Sequence, residues 1–159
     1  PIPRGTVIIG KMLAFVLLSC MQVVVMFTSA SIFFDMPLGE SPLALVVVTL
    51  VIALTSTALG MLIAALAKSA SKANNLGIIV GIVMSALGGA IGGKAPMTRM
   101  EGFAGILASL TPQGHAVNAY YSVISENATL VQVLPSLGIL LAMCIAFYTV
   151  AVWRFKFEV

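Results

Sequence analysis

Four long apolar stretches almost free of charge dominate this chain. Residues 12–34, 43–67, 73–93 and 128–153 contain no Asp, Glu, Lys or Arg. Each is long enough to cross a bilayer as a helix, which takes roughly 20 apolar residues. A water-soluble domain carries about 25% charged residues. This chain has 8%, and its mean hydropathy is +1.14. The pattern predicts an all-α, polytopic transmembrane helix bundle.

The 159 residues suffice for a single transmembrane domain over residues 1–159, with spans at about 8–34, 43–67, 73–93 and 132–153. The first residue is Pro1, and no charged region with a cleavage site precedes the first span, so it does not read as a signal peptide. A segment of a longer polypeptide, beginning inside a loop, is the expectation. Cys20 and Cys144 both fall within spans, where cysteine behaves as a small apolar residue. The net charge of +3 does not point to nucleic acid, because the basic residues cluster at span ends.

The loops set the topology. Arg4 and Lys11 precede span one, Lys68 and Lys72 separate spans two and three, and Arg154 and Lys156 follow span four. Lys94 and Arg99 follow span three, and the loop after span one holds Asp35 and Glu40 without a basic residue. With alternating crossings, one side collects six basic residues and the other two. The positive-inside rule puts the richer side, with the C-terminus, in the cytoplasm. Trp153 and Phe155 fit an interfacial belt there.

Residues 94–127 are too long and too apolar for a plain loop. Phe103, Ile106, Leu107 and Leu110 recur at helical spacing, then Thr111-Pro112-Gln113-Gly114 breaks the pattern. Val117, Tyr120, Tyr121 and Ile124 begin it again. A fifth span would place a polar break at its centre and the basic tail outside. The pattern instead predicts two short re-entrant or interfacial outer helices, at about 99–110 and 114–125, because broken backbone at membrane depth is tolerated where protein or water satisfies it.

In span three, Gly77, Gly81, Ser85, Gly89 and Gly93 are spaced four apart, with Gly88 and Gly92 widening the stripe. Such a face lets helix backbones approach closely. A weaker stripe, Ala53, Thr57, Gly60 and Ala64, runs along span two. No span carries an ionisable residue at its middle, which argues against a proton- or sodium-coupled antiporter. Gln22 is the most expensive polar group to bury. An interhelical hydrogen bond, worth roughly 0.6 kcal/mol on average, is the favoured reading, and a polar pathway the alternative.

Catalytic and metal-binding chemistry finds no foothold. His115 is the only histidine, and the two cysteines offer no metal-ligand spacing. No phosphate-binding GxxxxGK[ST] loop occurs, and Ser109 with His115 makes at best a distant nucleophile–base pair. His115 is expected to cap or hydrogen-bond the break at Pro112. No cofactor is expected. Asn127-Ala128-Thr129 matches a glycosylation sequon, a pattern frequent by chance.

Several short motifs occur in a telling order. The chain opens Pro1-Ile2-Pro3-Arg4-Gly5, and Ile9-Gly10-Lys11 leads into span one. Leu59-Gly60-Met61-Leu62-Ile63-Ala64-Ala65-Leu66-Ala67-Lys68 ends span two. Leu110-Thr111-Pro112-Gln113-Gly114-His115-Ala116 precedes the last span, and Trp153-Arg154-Phe155 closes it. Together they resemble the type-2 ABC export permeases over essentially the whole chain. The resemblance implies the last four of six spans, in a permease subunit whose ATP is hydrolysed on a separate ATPase subunit. Pro3, Arg4 and Lys11 would then belong to the coupling helix that docks on that ATPase, with Lys68 and Lys72 as a second cytoplasmic contact. Thr111, Pro112 and His115 would form the re-entrant break near the exit. A second permease copy or half would complete the substrate path. Gln113-Gly114 departs from the usual motif, in a way expected to loosen the break.

Two rival readings stand beside this one. A four-span structural or assembly protein would explain the spans and the glycine stripe without transport. A small-drug antiporter would need an embedded acidic residue. Sequence upstream of Pro1 separates the first from the permease.

Overall fold

The computed structural model describes residues 4–67, 69–91 and 95–154. They form helices α1 (Arg4–Phe34), α2 (Pro42–Leu66), α3 (Ala70–Leu87), α4 (Phe103–Ser109), α5 (Pro112–Ser125) and α6 (Leu130–Arg154). A single 3-10 turn, Met97–Arg99, precedes α4. Four helical segments are long and apolar enough to cross a membrane: Ile9–Phe34, Pro42–Leu66, Ala70–Leu87 and Leu130–Arg154. The all-helical architecture with four spans and two short helices follows the sequence expectation.

The core lies between α2 and α6. On α2, Ala44, Val48, Val51, Thr55 and Ala58 are buried at alternating four- and three-residue steps, which keeps them on one face. Val133, Leu137 and Leu140 of α6 are buried at matching steps, and the α5 residues Ala119 and Val123 close the cluster. Thr55, 1% exposed, shares its hydroxyl proton between the Val51 carbonyl (2.8 Å) and the Leu140 carbonyl of α6 (3.1 Å). Its polar group is satisfied inside the bundle, where an orphan would cost several kcal/mol.

These contacts fix the directions of the helices. The Glu40 amide donates to Asn127 Oδ1 at the start of α2 and α6, and Thr55 meets Leu140 deeper in both. The two helices therefore run parallel. Gly60, Ile63 and Ala64 of α2 face Ala73, Asn74, Gly77 and Ile78 of α3, so α3 is antiparallel to α2. Phe27, near the end of α1, stacks edge-on against Tyr120, which bonds Thr49 near the start of α2, so α1 is antiparallel as well. Lys11, Lys72 and Arg154 thus share one end of the bundle. Asp35, Glu40, Arg99, Glu101, Glu126 and both short helices lie at the other.

The flanking spans are thinly packed. Only Val16 and Phe27 of α1 are buried among the described residues, and no residue of α3 is. Their outer faces present large apolar side chains such as Leu17, Val24, Ile79 and Ile82. Contiguous apolar surface on this scale suits hydrocarbon and not water.

Three boundaries depart from the sequence expectation. First, α3 starts at Ala70, capped by Ser69, whose hydroxyl accepts from the Lys72 amide, and ends at Leu87 instead of 93. Gly89 takes φ +75, a left-handed conformation that closes helices and suits glycine. Second, Pro112 is not in the break but opens α5, where its fixed φ fits the first helical turn. Third, Arg4 to Lys11 form no separate short helix; they continue into the span. At 1.5 Å per residue, the 31 residues of α1 extend about 46 Å, well beyond a hydrocarbon core of roughly 30 Å.

Candidate functional site: the paired short helices

The break between α4 and α5 is built by one threonine. Thr111 is the N-cap of α5: its hydroxyl oxygen accepts from the Gly114 amide at 3.1 Å, and its proton goes to the Ala108 carbonyl at 2.9 Å. One side chain thereby satisfies a donor of the second helix and an acceptor of the first. His115, buried, bonds through Nε2 to the Ser109 carbonyl at 2.8 Å, a second tie across the break. His115 therefore acts on the local backbone, and Ser109 offers it only that carbonyl.

Glycines allow the helices to close on one another. A Cβ on Gly114 would clash with the Ala108 carbonyl oxygen, and one on Gly88 would lie 2.7 Å from the Gly114 amide nitrogen. The Gln113-Gly114 departure therefore tightens the break; the expectation of loosening is overturned, because the absent side chain admits backbone from two neighbours. A Cβ on Gly89 would press on Met97, and one on Gly39 would strike the Val123 carbonyl. The end of α3 and the α1–α2 loop are thus drawn onto the short helices.

Arg99 joins the turn before α4 to the far half of α5. Its guanidinium donates to Glu126 Oε1 (2.5 Å) and Oε2 (2.9 Å), to Ser122 Oγ (2.6 Å) and, through Nε, to Asn118 Oδ1 (2.7 Å). It also lies 5.5 Å from the Tyr121 ring centre. Asn118, Ser122 and Glu126 are spaced four apart, one ridge of a helix, which suits a planar fork of donors. Asn118 passes the network on to Ser136 of α6 at 3.0 Å. The hydrogen bonds from Arg99 hold the Glu126 carboxyl below its ordinary value; desolvation opposes them, and the charge of Arg99 and a hydrogen bond from Ser122 add to the lowering. The bond to Glu126 likewise strengthens the hold of Arg99 on its proton.

Tyr120 anchors α5 from its opposite side. Its hydroxyl donates to Thr49 Oγ1 at 3.1 Å, and Thr49 donates to the Leu45 carbonyl at 2.8 Å. The Phe27 ring packs against it with centres 5.3 Å apart. α5 is thereby fastened to α1, α2 and α6 together.

The other residues singled out from sequence lie elsewhere. Arg4, Lys11 and Lys72 belong to the opposite end of the bundle, while Pro3, Lys68 and Gly93 fall outside the described residues. A Cβ added at Gly77 or Gly81 would meet nothing within 4 Å among the described residues, so no close backbone approach uses this part of the stripe. Gly77 borders an open cleft of about 330 Å³ between α2 and α3, which Gly60 and Ala64 also line. Gly89 has left the stripe for the turn, and among the described residues Gly77, Gly81 and Ser85 keep its helical register. Gln22 is exposed, and the interhelical bond favoured for it is not made among the described residues.

Sequence reading missed the Arg99 network and the close approach of Gly88 to Gly114. The four-residue spacing of Asn118, Ser122 and Glu126 was a usable signal; the pairing with Arg99 was not.

The fold defines a polytopic helical membrane protein with a pair of short helices, α4 and α5, before its last span. The family described as ABC-2 family transporter protein matches residues 1–153, and the chain belongs to it. It is an integral membrane protein of the transport machinery of that family. No curated protein and no solved structure matches the chain.

Proposed function

We propose that this protein is the membrane-spanning permease subunit of an ATP-driven exporter, coupled to a separate ATPase subunit. The match to the ABC-2 transporter family over residues 1–153 is the observation that carries this reading. The charge distribution along the bundle supports a direction. Lys11, Lys72 and Arg154 sit at one end without an acidic neighbour among the described residues, and the acidic residues gather at the other. We place the protein in a prokaryotic plasma membrane, where by the positive-inside rule its basic end is cytoplasmic.

The ATPase then docks at the basic end. α1 is longer than the hydrocarbon is thick, which carries Arg4 and Lys11 toward the cytoplasm as a lever continuous with the span. Lys68 and Lys72 offer the second contact. Closure of the ATPase subunits pushes on α1, and the packed spans move as rigid units. Substrate leaves past the short helices at the far end. A second permease copy or half completes the path, and Gly77 and Gly81, with open space where a Cβ would stand, give it a face for close helix packing.

Co-purification of the full-length protein with candidate ATPase subunits tests this. Capture of an ATPase, weakened by Arg4→Glu, is the expected result. Failure to capture any ATPase, with no effect of Arg4→Glu, would leave a structural membrane protein.

A further inference from the structure

The segment carrying the Met97–Arg99 turn and α4 is held differently from the rest. α5 is fastened into the α2–α6 core through Ala119, Val123 and Tyr120. α4 buries only Gly105 and Ala108 and exposes Phe103, Ile106 and Leu110 around its rim. The segment wedges between two neighbours: Met97 lies under Gly89 at the end of α3, and Thr98 lies against Gly114 at the start of α5. This junction is imperfectly satisfied, since Thr98 Oγ1 and Gln113 Oε1 are both buried without a hydrogen-bond partner among the described residues. Groups left in that condition lower the local barrier to opening.

Thr111 and His115 tie the end of α4 to α5, and Arg99 fastens the start of the segment. Arg99 spends its fork on Glu126, Ser122 and Asn118, all on the anchored side. Glu126 and Asn127 close α5, and Asn127, at φ +52, accepts from the Glu40 amide of the α1–α2 loop. The pair is 43% exposed on both sides, open to solvent and to competing charges. A paired and partly hydrated fork of this kind can be released without dismantling a core.

We propose that Arg99 and Glu126 are positioning residues that form a releasable clasp, fixing the α4 wedge between the end of α3 and the α5–α6 unit. With the clasp closed, α3 and α5 are held in register through the wedge. With it open, the wedge lifts and α3 is free to part from α5. The consequence for transport, that the clasp sets when the exit opens, rests on the exporter reading; the clasp itself does not.

The test is a spin-label distance measurement on the full chain in lipid nanodiscs. Cys20 and Cys144 are first replaced by Ala, since both are free. One label pair, Ile106→Cys with Val131→Cys, spans α4 to α6 at exposed positions. A second pair, Leu50→Cys with Ile139→Cys, spans the α2–α6 core, also from exposed positions. Arg99→Gln and Glu126→Gln should each shift or broaden the first distance by on the order of 5 Å, about one helical turn, and leave the second unchanged. Arg99→Lys, which keeps charge but not the fork, should fall between. An unchanged first distance in both Gln variants would overturn the clasp. So would equal changes in both pairs, which would mark the residues as general stabilisers. No ATPase or substrate is needed, so a wedge that opens in a protein that captures no ATPase would leave the clasp standing and the exporter reading fallen.

Discussion

Gly88 and Gly114 bring the end of α3 and the start of α5 into backbone contact: a Cβ at Gly88 would sit 2.7 Å from the Gly114 nitrogen. On the other side of Gly114, a Cβ would meet the carbonyl oxygen of Ala108. Neither obstacle is the end of a flexible side chain, so the backbones themselves would have to part.

Gly114→Ala and Gly88→Ala are therefore expected to destabilise the fold by roughly 1–3 kcal/mol, the range for overpacking. Gly77→Ala and Gly81→Ala, with open space at the new methyl, should be neutral or stabilising by up to about 1 kcal/mol through helix propensity. Thermal unfolding of the four variants in one detergent checks the contrast.

Removing the cap hydroxyl of Thr111 strips one bond from each short helix. Thr111→Ala should cost about 1 kcal/mol, within a range of roughly 0.5–2. Thr111→Ser should retain most of the stability, because the hydroxyl supplies both bonds. Hydrogen exchange of the Gly114 amide, faster in the Ala variant alone, gives the local readout.

Thr55→Val removes a hydroxyl from the core and keeps its shape. The lost bond to the Leu140 carbonyl should cost only about 0.6 kcal/mol, the average for polar contacts between membrane helices. Thr55→Ala adds a cavity between α2 and α6 and should be the more damaging. Unfolding by denaturant in mixed micelles separates the two.

The ion pair has a defined pH signature. Arg99 holds the folded-state Glu126 below its ordinary value of 4.5, so the unfolded chain takes up the proton first as pH falls. The stabilisation is complete above that ordinary value and fades as pH drops through the lowered folded one. Wild-type melting temperature minus that of Glu126→Gln should be flat from about pH 7 to about pH 5 and shrink in stronger acid. Shrinkage already at about pH 6 would contradict the pairing.

The spans were readable because hydrocarbon thickness and the absence of charge are one-dimensional properties, visible in any window of sequence. The end of α3 was not. Gly88 and Gly89 are apolar enough to extend a span, and only the left-handed φ of Gly89 and the approach of Gly114 end it at Leu87. At Thr111-Pro112 the break was legible but its side was not, since proline stops one helix and starts another with the same rigid φ. Arg99 counted in sequence as a marker of topology; Glu126, 27 residues away, becomes its partner only when α5 folds back. Gln22 shows the reverse, a polar residue expected to make an interhelical bond that the fold leaves on the outside of the single bundle.

The parallel pairing of α2 with α6 also orders the birth of the protein. α2 emerges from the ribosome long before α6, with α3 and both short helices made between them. Until α6 is inserted, the stripe from Ala44 to Ala58 lacks its main partner, and the Thr55 hydroxyl has only its own helix to bond. Helices stable alone in the bilayer wait and then associate. The α2–α6 interior therefore forms only once α6 is in place, and a chain arrested after α5 lacks the Val133, Leu137 and Leu140 side of its core.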